Sequence, residues 1–247
     1  MKHENPSTGT APFLPAALPA AGGVGGLSPA ASVSRRDAVM NEIRRGIVSG
    51  SIKPGDKLTE VKLSSMLNVS RPTIREALTQ LAQEGLLIQE PYRGLRVATL
   101  DPAAILDIAR TRMALDMLAA ASILEDTSGR RMQFVEASWA AYDKVAFHPD
   151  PVVLHEAHIA FHRNIWAASE NALLLRLWPV TEAHLTIALA QDQATRADPA
   201  RAHEVHEQLV KALRSGDMQA IEAAFTTHTM DSAQQLIALL GSEDATA

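Results

Sequence analysis

The chain has 247 residues, 47 % hydrophobic and 21 % charged, the balance of an ordinary soluble protein with room for one large domain or two modest ones. It has no cysteine, which excludes disulfide frameworks, thiolate metal sites and cysteine nucleophiles and fits a reducing, cytoplasmic compartment. The net charge of −5 conceals an asymmetry: residues 34–100 carry 11 Lys/Arg against 7 Asp/Glu, and residues 101–247 carry 11 against 20. A basic front and an acidic back suggest two jobs, one of them involving a polyanion.

Residues 1–31 are rich in Pro, Gly, Ala and Ser and read as a disordered tail. No run approaches the roughly 18 consecutive apolar residues of a spanning helix. The apolar stretch 11–31 is broken by prolines and glycines and lacks a basic leader, so it reads poorly as a signal peptide and no membrane partner is expected.

Periodic sequence starts at Ser34, the expected N-cap of a helix carrying Val39, Ile43, Ile47 and Val48. Gly50 and Lys53-Pro54-Gly55-Asp56 stop it. A second short helix takes Leu58, Val61, Leu63, Met66 and Leu67 as its apolar content. After the turn Asn68-Val69-Ser70, Ser70 should cap a third helix with Pro72 in its first turn, an inward face of Ile74, Ala77, Leu78 and Leu81, and Gly85 at its end. Leu86-Leu87-Ile88 and Leu95-Arg96-Val97 read as strands around the hairpin Pro91-Tyr92-Arg93-Gly94.

From Asp101-Pro102 onward the pattern is helical; Asp150-Pro151 and Asp198-Pro199 repeat that start signal, and Gly216-Asp217 marks a further boundary. Pro179 is expected to end or kink a helix near Trp178. The predicted fold is therefore mainly α: a winged helix-turn-helix over 32–100, an antiparallel six- or seven-helix bundle over 101–240, and a flexible C-terminus over 241–247.

Such a head puts the N-terminal end of its third helix into a DNA major groove. Arg71 and Arg75 share a face opposite Ile74, Leu78 and Leu81. A guanidinium there can read a guanine edge or clamp a phosphate. Ser70 and Thr73 sit where hydroxyls and free N–H groups meet phosphate, and Arg93 and Gly94 at the wing tip can approach the backbone or minor groove. A bare arginine pair also suits a solvated helix face; the ordered run of capped helices, turn and glycine hairpin argues against that.

These residues carry a resemblance. Leu58-Thr59-Glu60, Leu63-Ser64, Asn68-Val69-Ser70-Arg71-Pro72-Thr73-Ile74-Arg75-Glu76-Ala77-Leu78, Leu81, Glu84-Gly85-Leu86 and Arg93-Gly94 resemble the GntR-type winged helix-turn-helix. The resemblance implies that Arg71 and Arg75 read operator DNA, that Gly94 touches it from the wing, and that the chain binds double-stranded pseudo-palindromic sites as a homodimer.

Eight of the nine histidines lie between 148 and 228, those two positions included. His158 and His162 are four apart and share a helix face, with His155 bordering it; His203, His206 and His228 lie on later helices. Imidazoles brought together suit Zn, Ni, Co, Fe or Cu. The same spacing suits surface polarity or hydrogen-bonded core histidines, and His155-Glu156-Ala157-His158 is not the zinc-protease motif.

Residues 101 to about 240 resemble the all-helical FCD ligand-binding domain, through Arg112-Met113-Ala114-Leu115-Asp116, His158-Ile159-Ala160-Phe161-His162 followed by Asn171, His206-Glu207 with Leu209, Gly216-Asp217 and His228. The resemblance implies a divalent transition metal, Zn or Ni, held by one aspartate and three histidines beside a small organic acid effector. The histidines carry over to His162, His206 and His228, while the aspartate's position holds His158. Four neutral imidazoles would leave a divalent ion at +2 instead of +1, strengthening its pull on an anion. Arg112 is the candidate partner for an effector carboxylate, or else an intrahelical partner of Asp116; His184 is a further expected cavity residue.

The expected function is a DNA-binding transcriptional regulator, a repressor, whose operator affinity responds to a small carboxylate. A metal-dependent hydrolase fused to a DNA-binding head and an architectural DNA-binding protein without effector are the alternatives. The first needs a general base near the histidines, and the second a solid bundle interior.

Overall fold

The computed structural model describes residues 34–92, 94–195 and 198–244. The expected tail over 1–31 and Arg93 lie outside them.

The head is built from α1 (Arg35–Val48), β1 (Lys57–Leu58), α2 (Glu60–Leu67), α3 (Arg71–Gln83), β2 (Leu87–Glu90) and β3 (Gly94–Val97). Ser34 caps α1 through the Asp37 N–H, and Val39, Met40, Ile43, Ile47 and Val48 form its buried stripe. The strands make an antiparallel sheet of order β1-β3-β2, with Leu58 opposite Leu95 and Leu87 opposite Val97. Leu58 thus belongs to a strand and not to the second helix, because Thr59 caps α2 and starts it one residue later. Within α2 only Leu63 is buried, and Val61 and Met66 face outward.

Seven helices follow: α4 (Pro102–Leu124), α5 (Arg130–Asp143), α6 (Pro151–Ala168), α7 (Ala172–Thr195), α8 (Pro199–Ser215), α9 (Met218–Thr226) and α10 (Ser232–Asp244). A π turn at Thr227–Asp231 joins the last two. Asp101, Asp150, Asp198 and Asp217 each accept a backbone N–H of the helix they precede, and the first three have proline next. Gly216 ends α8 with a left-handed φ of 70°. The final helix runs on to Asp244, so residues 241–244 are helical instead of a flexible end.

Pro179 does not end its helix: α7 continues from Ala172 to Thr195. An internal proline costs about 3 kcal/mol. Buried Leu174 and Trp178 on one side of it and Ala183, Leu185 and Ile187 on the other offset that cost. By length and composition the Ala172–Gln191 stretch would also suit a membrane span. Here it packs against α1, α4 and α6.

Three apolar clusters organise the protein. One fills the head and includes Ala183 and Ile187 of α7. The largest fills the bundle around Phe161, Ile165, Trp166, Leu209 and Phe225. A small third one joins Ile105 and Ala109 of α4 to Ala233 and Leu236 of α10.

Candidate DNA-binding face and a four-histidine cavity

The third helix buries Ile74, Ala77, Leu78 and Leu81 and turns Arg71 and Arg75 outward, their side chains 59 % and 63 % exposed. Ser70 holds the N-cap position, but its hydroxyl lies 2.9 Å from that of Thr73 and caps no backbone N–H. A third residue joins them. Glu60, at the start of α2, receives Nε and Nη2 of Arg75 at 2.7 and 2.8 Å and lies 3.7 Å from Arg71. Hydrogen bonding to Arg75 holds its carboxyl below the ordinary range. Gly94 has φ +86° at the start of β3, so the wing turn needs a residue without Cβ there.

Behind the head, the bundle forms a half-open cavity of about 570 Å³ walled by α4, α6, α7, α8 and α10. His158, His162, His206 and His228 meet at one end of it, with a nitrogen of each within 4.8 Å of the others. Nε2 of His162 lies 3.0 Å from Nε2 of His206 and 2.9 Å from Nε2 of His228. Such spacings resemble the separations of about 3 Å between nitrogens sharing one ion at 2.0–2.1 Å. Nδ1 of His206 is 2.5 Å from the Ala202 carbonyl, which fixes the tautomer and turns Nε2 inward as a lone pair. Nε2 of His158 is buried with no hydrogen-bond partner. Burial pushes all four imidazoles well toward the neutral form, His206 to about 4. Neutral, converging, partly unpartnered imidazoles are the donor set that a divalent transition ion requires.

Arg112 makes the expected intrahelical contact with Asp116 and also lines the cavity. Its Nε is 3.2 Å from Oδ2 of Asp116, close enough for an ion pair though not aligned as a hydrogen bond. Its Nη2 is 3.2 Å from Nε2 of His228, and the side chain lines the cavity. The indole N–H of Trp166 donates to Oδ1 of Asp116 at 2.6 Å. Burial pushes Asp116 up and Arg112 down in pKa, and each is opposed by the other's charge.

His184 does not reach the cavity. Its ring lies against Gly85 of the head, where an added Cβ would come within 3.3 Å of Nε2. In its place the cavity receives His155, three residues before His158, and Thr229, one after His228. His155 Nε2 is 3.2 Å from the hydroxyl of Thr186 on α7. Burial lowers this histidine to about 4. The shared helix face announced His155; no spacing could announce Thr186 or Trp166, which arrive from other helices.

Residues 35–97 match the family described as bacterial regulatory proteins, gntR family, and residues 107–231 match the FCD domain. A "Probable D-xylose utilization operon transcriptional repressor" of Paenarthrobacter nicotinovorans is 31 % identical over 199 residues, covering 78 % of this chain and 86 % of that one. The chain belongs to the GntR family, with an FCD domain behind the head. This GntR-family protein is a DNA-binding transcriptional regulator and not an enzyme. It is also 34 % identical over 94 residues to the transcriptional repressor RspR of Escherichia coli, covering 38 % of this chain and 40 % of that one. Solved structures share the fold: E. coli McbR/YncC at a TM-score of 0.66 and 21 % identity, over 86 % of this chain and 99 % of that chain. A putative GntR regulator from Rhodococcus sp. RHA1 aligns at 0.64 and 23 %, over 83 % and 99 %.

Proposed function

We propose that this regulator is a cytoplasmic homodimeric repressor whose grip on operator DNA is set by a small organic acid in the four-histidine cavity. The observation that carries the reading is one helix, α7, with two occupied faces. Leu185, Ala188 and Leu189 line the cavity, while Ala183 and Ile187 sit in the core of the DNA-binding head. A ligand that shifts α7 therefore moves packing beneath α3, and the resulting coupling must be reciprocal.

Arg71 and Arg75 serve as the base- or phosphate-reading pair, and Ser70, Thr73, Arg93 and Gly94 are the further DNA contacts of this reading. His158, His162, His206 and His228 would hold a divalent ion, Zn or Ni, which when bound supplies positive charge to an anion at the Arg112 end. The homodimer is supported by Leu173, Leu177 and Val180, an exposed apolar row on α7 at helical spacing. Neither alternative suits the cavity. Its one lining carboxylate among the described residues, Asp198, is exposed and caps α8, so no carboxylate base among them faces the histidines. An architectural protein would need a solid interior.

The test is selection of bound sequences from a random duplex pool with the full chain, followed by titration of the selected site with Arg75→Ala. A two-fold-symmetric site that the variant binds at least tenfold more weakly supports the reading. Failure to enrich any sequence overturns it.

A further inference from the structure

We infer that the cavity's ligand is an amphipathic monocarboxylic acid with a hydrocarbon or aromatic body about two helical turns long, not a polyhydroxylated or dicarboxylic acid. The inference rests on the reading of the cavity as the effector site and concerns what fills it.

Polar groups crowd one end. Arg112, the four histidines, and the unpartnered buried atoms Oγ1 of Thr229 and Nδ1 of His155 all lie there. Arg112 spends Nε on Asp116 and Nη2 on His228, and no hydrogen bond occupies Nη1 among the described residues. The nitrogen that remains, on a side chain lining the cavity, suits one carboxylate oxygen.

Away from that end the walls are mostly hydrocarbon, with Asp198 at the cap of α8 and Arg201 within it as charged exceptions. Successive turns of α4 contribute Ile108 and Ile105, and α10 contributes Leu236. Leu154 of α6 and Leu185 and Leu189 of α7 close the other sides. The seven residues from Arg112 to Ile105 span ~10 Å along the helix. At bonds near 1.5 Å, an extended chain of about eight carbons covers that length.

The cavity also divides the bundle's apolar interior. Leu185 belongs to the main cluster, while Ile105, Ala109, Ala233 and Leu236 form their own. An apolar body between them gives each wall the packing partners it lacks. Water against those apolar walls would find few polar partners. A sugar acid would bring several hydroxyls to Ile105, Ile108 and Leu236, each leaving its water partners unreplaced. A second carboxylate at the far end would meet Asp198 as well as Arg201.

The probes are octanoate, suberate, gluconate and octan-1-ol, titrated by calorimetry into tag-free full-length protein saturated with Zn. Octanoate should bind one per chain, at least tenfold tighter than each of the other three. Ile108→Asn should weaken octanoate at least tenfold, and Ile108→Val by less than threefold, both with unchanged helical circular dichroism. Tighter saturable binding of gluconate or suberate overturns the ligand class and leaves the effector-site reading standing. Octan-1-ol matching octanoate removes the carboxylate from the inference. No saturable binding by any probe overturns the inference and the effector-site reading together.

Discussion

The hydroxyl of Thr186 lies 3.2 Å from Nε2 of His155, and this contact ties the cavity wall on α6 to the helix that enters the head. Thr186 is fully buried and its hydroxyl also donates to the Glu182 carbonyl one turn earlier. One residue later, Ile187 packs with Ile43, Ile74 and Leu81 in the head's core cluster. Further contacts support the same junction: Arg44 of α1 pairs with Glu84 at 2.5 Å and lies 3.9 Å from Glu182. The Leu100 N–H donates to Gln191 at 3.3 Å.

Thr186→Val keeps the shape and removes the hydroxyl, leaving His155 Nε2 without that partner. Coupling factors between sites are typically 5- to 150-fold. Operator affinity measured with and without saturating ligand should therefore converge in the variant, to within about threefold, while each affinity alone changes less. A coupling factor equal to the parent's would remove this contact from the transmission route.

Glu60 reads as a device that holds the recognition arginines in place before DNA arrives. The Arg75 fork is fully engaged by its carboxylate. Glu60→Gln keeps one acceptor and removes the charge, so it should strengthen non-specific binding by weakening like-charge repulsion of phosphate. It should also loosen Arg75 and lower the ratio of specific to non-specific affinity several-fold. Fluorescence anisotropy on the selected site and a scrambled duplex at two salt concentrations checks both effects.

The head was legible because its signals are local. Ser34 caps α1 through its own neighbours, as the Asp-Pro pairs do for helices of the bundle, and the periodic stripe of α3 points inward as its spacing requires. The Thr59 cap, which starts α2 after Leu58, was missed. The histidines were legible as a set because His158 and His162 share a face and the family order placed His206 and His228 with them. What stayed hidden depends on distant chain. Pro179 reads as a stop or a kink, and only the packing of Trp178 and Ile187 on either side of it accounts for the helix running through. His184 sits on the same helix as the cavity-lining Leu185 and Leu189, but its own position turns it to Gly85. Single-helix spacing could not say which face of α7 meets the head.

Asp116 makes a prediction about stability. Removing one partner of a buried ion pair leaves an uncompensated charge and costs roughly 3–5 kcal/mol. Asp116→Asn should fall in or somewhat below that range, since the amide can still accept from Trp166. The double variant Arg112→Met with Asp116→Leu should recover most of the loss in urea denaturation. A double variant no more stable than Asp116→Asn would show that the pair's packing, not its charge balance, dominates.

Asp126 gives the pH dependence its sign. The Ser128 hydroxyl, then the Arg131 backbone N–H, hold its carboxyl down at about 2, below the ordinary 3.8. A depressed folded value means that this contribution is complete above about pH 4 and is lost as pH falls toward 2. The stability difference between the parent and Asp126→Asn should therefore be constant from pH 7 to 5 and shrink below 4. A difference that persists at pH 2.5 would contradict the assignment.

The four-histidine set should be tuned by the residue that departs from the family pattern. His158 stands where the resemblance implies an aspartate, and its Nε2 is buried without a hydrogen-bond partner. Replacing it by aspartate lowers the charge of an occupied site by one and offers the harder oxygen donor that Mn and Mg favour over Zn, Ni and Cu. Metal bound only to the folded state stabilises it by RT ln(1 + [L]/Kd), about 2.7 kcal/mol at a hundredfold excess over Kd. Thermal melts of tag-free parent and His158→Asp across Zn, Ni and Mn should therefore show the variant's preference moving toward Mn. His206→Ala, which removes the nitrogen oriented by Ala202, should lose most of the metal-dependent rise with every ion. If the parent and His158→Asp respond identically to all three ions, His158 is not a ligand. The remaining histidines would then account for the site alone.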